Sequence, residues 1–284
     1  MNDWLRSIIL GIIEGLTEFL PISSTAHLRL AQKYLGIPLH DEYWKMFAVV
    51  IQLGAILSVV VYFWKRLLSF ARTFPKGEDG TRTIWTHPLS MVAIATIVTI
   101  GPCYLIDKKI GENLENEWVI GWALIIGGLV MWAIDVIFRK PKIDSIHHMK
   151  LWHAIVIGAA QIVAAAFPGT SRSMATIAAG QVVGMARSPA LEFSFFLSIP
   201  IMFAATGFKL FQYVFSNEAA PPMDSKQWGV LALGFAVSFV VALVVIHWFM
   251  GWVRKRGFAP FAIYRILIGI FTLLMAAGAF ARSD

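Results

Sequence analysis

The sequence predicts an all-α polytopic membrane protein, with six transmembrane helices plus two re-entrant helical hairpins in an inverted-topology repeat. Three observations predict it. Of 284 residues, 58% are hydrophobic and 14% charged, with a mean hydropathy of +0.69. A soluble domain is about 45–50% apolar and about 25% charged. Six apolar runs come close to the roughly 20 residues that cross a hydrocarbon core. Two further runs are broken by a proline beside hydroxyl or glycine residues.

In chain order, the first broken run is Trp4–Leu20. It stops at Pro21 and Ser23-Ser24-Thr25, and a short apolar piece follows at His27–Leu35. Proline removes a donor and clashes one turn back, so it ends a helix. The spans Met46–Trp64, Pro88–Ile106 and Trp118–Phe138 come next. The second broken run, Trp152–Phe167, stops at Pro168-Gly169-Thr170-Ser171-Arg172-Ser173 and resumes as Met174–Val183. Leu191–Phe215, Trp228–Met250 and Pro260–Phe280 complete the six spans. Trp44, Trp64, Trp85, Trp118, Tyr213, Trp228 and Trp252 lie near span ends, as an interfacial belt requires. Neither half of a broken run spans comfortably, so each reads as a re-entrant hairpin. Such backbone is tolerated at membrane depth only inside protein or against a polar cavity.

Loop charge sets the orientation. Loops Lys65–His87, Arg139–Lys150 and Gly251–Phe258 carry five, four and three Lys or Arg and are expected to be cytoplasmic. Asp107–Glu117 has two against four acids, and Asn217–Lys226 has only Lys226, so these are expected to be external. The six spans alternate between the two sets, and the hairpins then enter from opposite sides. Pro21-Ile-Ser-Ser-Thr aligns with Pro168-Gly-Thr-Ser-Arg at an offset of 147 residues, and Phe47 with Phe193 at 146. Each half is a hairpin followed by three spans, an odd number of crossings, which inverts the second copy. The expected organisation is one integral membrane domain with halves of about 1–140 and 150–284. Inverted repeats of this kind place their site near the midplane, where the broken helices meet.

The net charge of +7 and isoelectric point near 9.6 are explained by these cytoplasmic loops, so no nucleic-acid partner is expected. A single cysteine, Cys103, excludes an internal disulfide and a cysteine-based metal cluster. Asp3 precedes the first apolar run and Glu14 and Glu18 interrupt it, so it is not expected to be a cleavable signal.

The candidate site is the pair of tips. Glu14 and Glu18, four residues apart, share one helix face among Ile12, Ile13, Leu16, Phe19 and Leu20. An ionisable group at the centre of a membrane helix costs roughly 2.5–3.5 kcal/mol. Two close carboxylates also repel. An arginine or a divalent cation removes the conflict, and oxygen-only ligands favour Mg²⁺ or Ca²⁺. Arg172 is the arginine, at the tip of the other hairpin. Gly169 lets backbone approach a ligand. Thr170, Ser171 and Ser173 supply donors, and the helix that starts there points its amide end at the tip. A guanidinium forks onto two phosphate oxygens, so this tip reads as a phosphate cradle; the bland alternative is an arginine that only neutralises Glu14 or Glu18. Ser24 with His27 reads as a hydroxyl and a general base, against a packing histidine. Gln52 lies in an apolar span and can hydrogen-bond a tip. Glu192, Ser194, Tyr264 and Arg265 are candidates for supporting or packing roles, and His87, His147 and His148 are assigned none.

At these residues the sequence closely resembles the undecaprenyl-diphosphate phosphatase family of the bacitracin-resistance type. The matching motifs are Glu14-Gly-Leu-Thr-Glu18-Phe-Leu-Pro-x-Ser23-Ser24-Thr25-x-His27 and Pro168-Gly-x-Ser171-Arg172-Ser173-x-x-Thr176. Gln52-Leu-Gly54, Glu192-Phe-Ser-Phe and Pro260-Phe-Ala-Ile-Tyr264-Arg265 support them, and the likeness runs nearly end to end. The resemblance implies an inner-membrane hydrolase that converts undecaprenyl diphosphate to the monophosphate carrier of peptidoglycan synthesis, confers bacitracin resistance, requires a divalent cation and opens toward the periplasm. It implies Glu14 and Glu18 near metal and diphosphate, Ser24 and His27 as nucleophile and base with the attacking group unassigned, and Arg172 on the phosphate. Ser23, Thr25, Thr170, Ser171, Ser173, Thr176 and Gln52 are expected to surround the substrate. The partners expected are the polyprenyl diphosphate and membrane lipids; the oligomeric state stays open, a homodimer included. The rival reading is an inverted-repeat transporter or flippase for a lipid phosphate, which has no need of Ser24 with His27.

Overall fold

The computed structural model describes residues 1–78, 80–105, 116–216 and 222–279. Among them are eleven α-helices and no strand. These are α1 (Asp3–Thr17), α2 (Ser24–Tyr34), α3 (Glu42–Tyr62), α4 (Trp64–Thr73), α5 (Pro88–Leu105) and α6 (Glu117–Ile137) in the first half. The second half holds α7 (Leu151–Ala166), α8 (Arg172–Val182), α9 (Arg187–Phe211), α10 (Ser225–Arg256) and α11 (Ala259–Ala276). Helices α3, α5, α6, α9, α10 and α11 are long and apolar enough to cross a membrane, and they coincide with the six expected spans.

The differences in extent have local causes. Helix α10 starts before Trp228 because Asp224 and Gln227 cap it reciprocally, and it continues past Met250 through Arg254-Lys255-Arg256 until Gly257 turns at φ 70°. Hydropathy marks the apolar part of a helix, not its ends. Helix α4 lies in a segment read as loop, because its polar residues dilute the apolar signal; only its Phe70 is buried. Ile106 and Phe280, the last residues of two expected spans, lie outside the described residues.

The two broken runs are α1–turn–α2 and α7–turn–α8, and α2 and α8 are each eleven residues long. Their packing is reciprocal. Helix α1 packs on α10 while α7 packs on α5; α3 packs on α9 and α6 on α11. The α1–α10 and α7–α5 contacts also match in detail. A Cβ on Gly11 would lie 2.7 Å from the Gly234 carbonyl oxygen, and one on Gly158 would lie 2.6 Å from that of Ala95. Small residues let helices approach this closely where apolar surface alone gives little drive. Each seam carries one hydroxyl bond, Ser7 Oγ to Val230 O (2.6 Å) and Thr99 Oγ1 to Gly158 O (3.0 Å). Phe19 of the first turn packs edge-on to Phe195 of α9, ring centroids 5.0 Å apart, within a core that also holds Met174 and Ile177 of α8. The first turn and the helix that follows the second turn therefore share one core.

Candidate functional site

Each turn ends in a serine that caps the following helix. Ser23 (φ 73°) and Ser171 (φ 72°) are the only non-glycine residues with positive φ among the described residues. Ser23 Oγ accepts from the Ala26 N–H and Ser171 Oγ from the Met174 N–H, both at 3.3 Å. A left-handed serine is strained, and the cap bond offsets part of that strain. The next residue is Ser24 in one copy and Arg172 in the other, and both side chains reach Glu18, Ser24 from the same hairpin and Arg172 from the opposite one.

Glu18 joins the two tips. One carboxylate oxygen accepts from Ser24 Oγ at 2.5 Å and the other from Arg172 Nη2 at 2.5 Å. All three side chains are buried or largely so. Arg172 Nη1 is buried without a hydrogen-bond partner among the described residues. Ser173 Oγ donates to the Leu20 carbonyl at 3.1 Å and lies 3.0 Å from Ser171 Oγ. Glu14, fully buried beside Glu18, has both carboxylate oxygens without a hydrogen-bond donor among the described residues. Buried polar groups are nearly always satisfied, so Glu14 and Arg172 Nη1 mark a place built for something further.

His27 is oriented differently from expectation. Its Nδ1 is 2.7 Å from the Ser23 carbonyl, which only accepts, so Nδ1 carries the proton. Nε2 then accepts from the Tyr264 hydroxyl at 2.8 Å, with the rings stacked at 5.6 Å. Ser24 is hydrogen-bonded to Glu18, not to His27. Thr176 supports α8 from behind, bonded to the Arg172 carbonyl (2.9 Å) and Ser194 Oγ (2.6 Å). Thr170 is buried in the turn, its N–H on the Phe167 carbonyl. Thr25 and Gln52 are half-buried and make no side-chain hydrogen bond to either tip among the described residues.

Arg265 was named in the sequence only as a candidate for a supporting or packing role, and it is the largest fully buried side chain among the described residues. Its Nη1 donates to Pro21 O (3.0 Å), and its Nη2 to Gly169 O (2.9 Å) and Ala123 O (3.1 Å). One guanidinium thus ties both tips to α6. The space for it is made by Gly127, where a Cβ would lie 2.2 Å from Nη2. An arginine inside an apolar span is a functional signal in itself, and that rule would have found it.

Beside Arg172 a cavity of about 520 Å³ lies between α5, α7 and α9. Its wall is mainly apolar, with Ile100, Ile201, Ala204 and Phe208, and Gln161 and Lys209 add polar groups. An apolar groove that ends at a guanidinium suits a ligand with a long hydrocarbon part and an anionic head.

The family model described as bacitracin resistance protein BacA matches residues 7–271. The chain belongs to the BacA family. Both tips and Arg265 lie inside the matched stretch. Relatives called undecaprenyl-diphosphatase match it almost end to end. One from Koribacter versatilis is 52% identical, covering 97% of this chain and 99% of its own. Those from Caldanaerobacter subterraneus (40% identical; 98% and 97% covered) and Fusobacterium nucleatum (41%; 94% and 98%) follow. With six membrane-length helices, this BacA-family chain is a multi-pass membrane protein.

Proposed function

We propose that this protein hydrolyses undecaprenyl diphosphate to undecaprenyl phosphate and inorganic phosphate. It thereby recycles the lipid carrier of peptidoglycan synthesis and confers bacitracin resistance. The observation that carries the reading is Glu18, bonded at once to a hydroxyl and to a guanidinium from the opposite hairpin. Family membership and the names of the relatives support it.

Phosphoryl transfer needs in-line positioning and charge neutralisation more than covalent chemistry. Ser24 Oγ attacks the terminal phosphorus and passes its proton to Glu18, and the anhydride bond breaks to release undecaprenyl phosphate. Water then attacks the phosphoserine. Both its hydrogens leave on dihydrogen phosphate, and Glu18 returns its proton to the Ser24 oxygen. Arg172, with Nη1 free of protein partners, forks onto the phosphoryl oxygens. His27 holds the Ser23 peptide and so sets the direction of Ser24. The isoprenoid lies along the cavity beside Arg172.

The donor set fits a divalent cation. Glu14 leaves two buried oxygens without donors, and Glu14 and Glu18 would hold a hard ion with substrate phosphate oxygens completing its shell. Such an ion supplies charge to the diphosphate when bound. The protein sits in the bacterial inner membrane as an inverted repeat, supported by the reciprocal packing of α1 on α10 and α7 on α5. Loop charge, together with the family resemblance, supports a site that opens toward the periplasm.

The test is phosphate release from a long-chain polyprenyl diphosphate by the detergent-solubilised protein. Release is expected to stop with EDTA and to return with Mg²⁺ or Ca²⁺. Arg172→Ala is expected to lower turnover by about 10³-fold or more, the scale of a phosphate-binding arginine, without unfolding the helices. No release from folded protein overturns the reading and favours a lipid-phosphate carrier. Wild-type turnover by Arg172→Ala overturns the phosphate cradle.

A further inference from the structure

A second cavity, of about 570 Å³, lies where α6 and α10 end and α9 begins. It is separate from the cavity beside Arg172: on α9 their nearest lining residues, Ser188 and Ile201, are thirteen residues apart, about 20 Å of helix, and on α8 Gln181 and Arg172 are nine apart, about 14 Å. Ligand clefts commonly measure about 300–1,000 Å³, so this one is large enough for a ligand.

Its wall carries three arginines and no carboxylate. Arg139 follows α6, Arg187 opens α9, and Arg254 lies in the last turn of α10. Asp135 stands behind the wall and fixes Arg187. One of its oxygens accepts from Arg187 Nε (2.6 Å) and Gln181 Nε2 (3.3 Å), and the other from the Phe258 N–H (3.2 Å). That compensates one of the three charges. Glu192, the acid that feels Arg254, is already paired with Arg66 at 2.5 Å. Arg139 forms no ion pair among the described residues. The wall also includes the start of α9, a 25-residue helix whose N-cap, Ala186, offers no side-chain acceptor. The first-turn amides of Arg187 and Ser188 have no intrahelical partner, and the positive end of the helix dipole is there.

We propose that this cavity binds a phosphate dianion, either the monoester headgroup of a lipid or inorganic phosphate. Arg187, held by Asp135, presents a fixed guanidinium edge. Arg139 and Arg254 bring the two uncompensated charges, and the α9 amides with the Ser188 hydroxyl supply neutral donors. Guanidinium forks match phosphate oxygens bidentately, and helix N-termini bind such anions through their amides. Phe138 and Val253 in the same wall suit the first carbons of a lipid-borne phosphate.

The experiment uses Arg172→Ala protein in detergent, which removes the phosphate contact at the tips. Binding is titrated calorimetrically with inorganic phosphate, and separately with dioleoyl phosphatidic acid in mixed micelles. Saturable binding near one per chain is expected, weakened at least tenfold when Arg139→Gln and Arg254→Gln are added. Each of these alone is expected to weaken it by several-fold. In protein that keeps Arg172, the same two substitutions are expected to leave polyprenyl diphosphate turnover unchanged. Binding of inorganic phosphate alone assigns the site to a free anion; binding only of the micellar lipid assigns it to a headgroup. Absence of saturable binding by the Arg172→Ala protein, or equal affinity with and without Arg139 and Arg254 for both probes, overturns the proposal.

Discussion

The two tips have one backbone design and opposite chemistry. Ser23 and Ser171 share the left-handed turn and the cap onto the third residue beyond. With the 147-residue offset, Glu14 and Glu18 of α1 correspond to Gln161 and Ala165 of α7. Beyond the prolines the serine caps put the offset at 148, so Ser24 and His27 correspond to Arg172 and Ala175. One tip thus carries the anions, the hydroxyl and the histidine, and the other carries the cation. A diphosphate needs both kinds of group at once, and the fold supplies them by facing a motif with an altered copy of itself. Duplication provides the frame, and substitution at four positions provides the polarity.

The sharpest test compares corresponding positions. Glu14→Gln removes a buried carboxylate beside Glu18, and Gln161→Ala removes its counterpart in the cavity wall. If the acidic tip alone handles cation and diphosphate, Glu14→Gln lowers turnover by at least about 10²-fold, since losing even a group one shell further from a metal can cost that much. It also raises the Mg²⁺ concentration for half-maximal rate. Gln161→Ala lowers turnover less than about tenfold and leaves the Mg²⁺ dependence alone. Equal losses in the two variants, with equal shifts in Mg²⁺ dependence, break the comparison.

Arg265 is the next test, because it is the one side chain among the described residues that is bonded to carbonyls of both tips. Arg265→Lys keeps a charge but has no planar fork to reach Pro21 O and Gly169 O together. Displacing catalytic groups by about 1 Å can cost about 10²-fold, so a loss between about tenfold and 10²-fold in kcat is expected, with KM little changed. Arg265→Met also leaves the Pro21 and Gly169 carbonyls of the two turns without their donor, each orphan costing about 1–3 kcal/mol, and is expected to lower the unfolding midpoint as well. A kcat equal to wild type in Arg265→Lys means that the tips hold their register without it.

How far the sequence can be read follows from which forces are local. The six spans were legible because a bilayer imposes apolar length on each separately, and the tips because acids, hydroxyls and prolines inside apolar runs are costly unless used. The Arg172–Glu18 pair was legible too, as the arginine that relieves two close carboxylates, but the partners of Ser24 and Arg265 were not. Ser24 meets Glu18 instead of His27 because Ser23 takes φ 73°, a backbone state no side-chain pattern announces. Arg265 reaches Pro21 across 244 residues, a relation set by helix packing. Helix α4 was hidden because charged residues along it imitate a loop.

The smallest effect tests the shared frame itself. Ser23→Ala and Ser171→Ala each remove a cap oxygen from an eleven-residue helix while keeping a Cβ at positive φ. Loss of a serine N-cap costs about 1 kcal/mol, and the two helices start in the same way, so the unfolding midpoints are expected to fall by similar amounts. Their kinetics are expected to differ. Ser23 lies between His27, through its carbonyl, and Ser24 in sequence, so its loss shifts the attacking hydroxyl and lowers kcat. Ser171 lies beside Arg172 and Ser173, so its loss raises KM for the diphosphate more than it lowers kcat. If both substitutions change kcat and KM in the same proportion, the tips share the chemistry instead of dividing it, and the assignment of anion and nucleophile to one hairpin and phosphate binding to the other fails even with the frame intact.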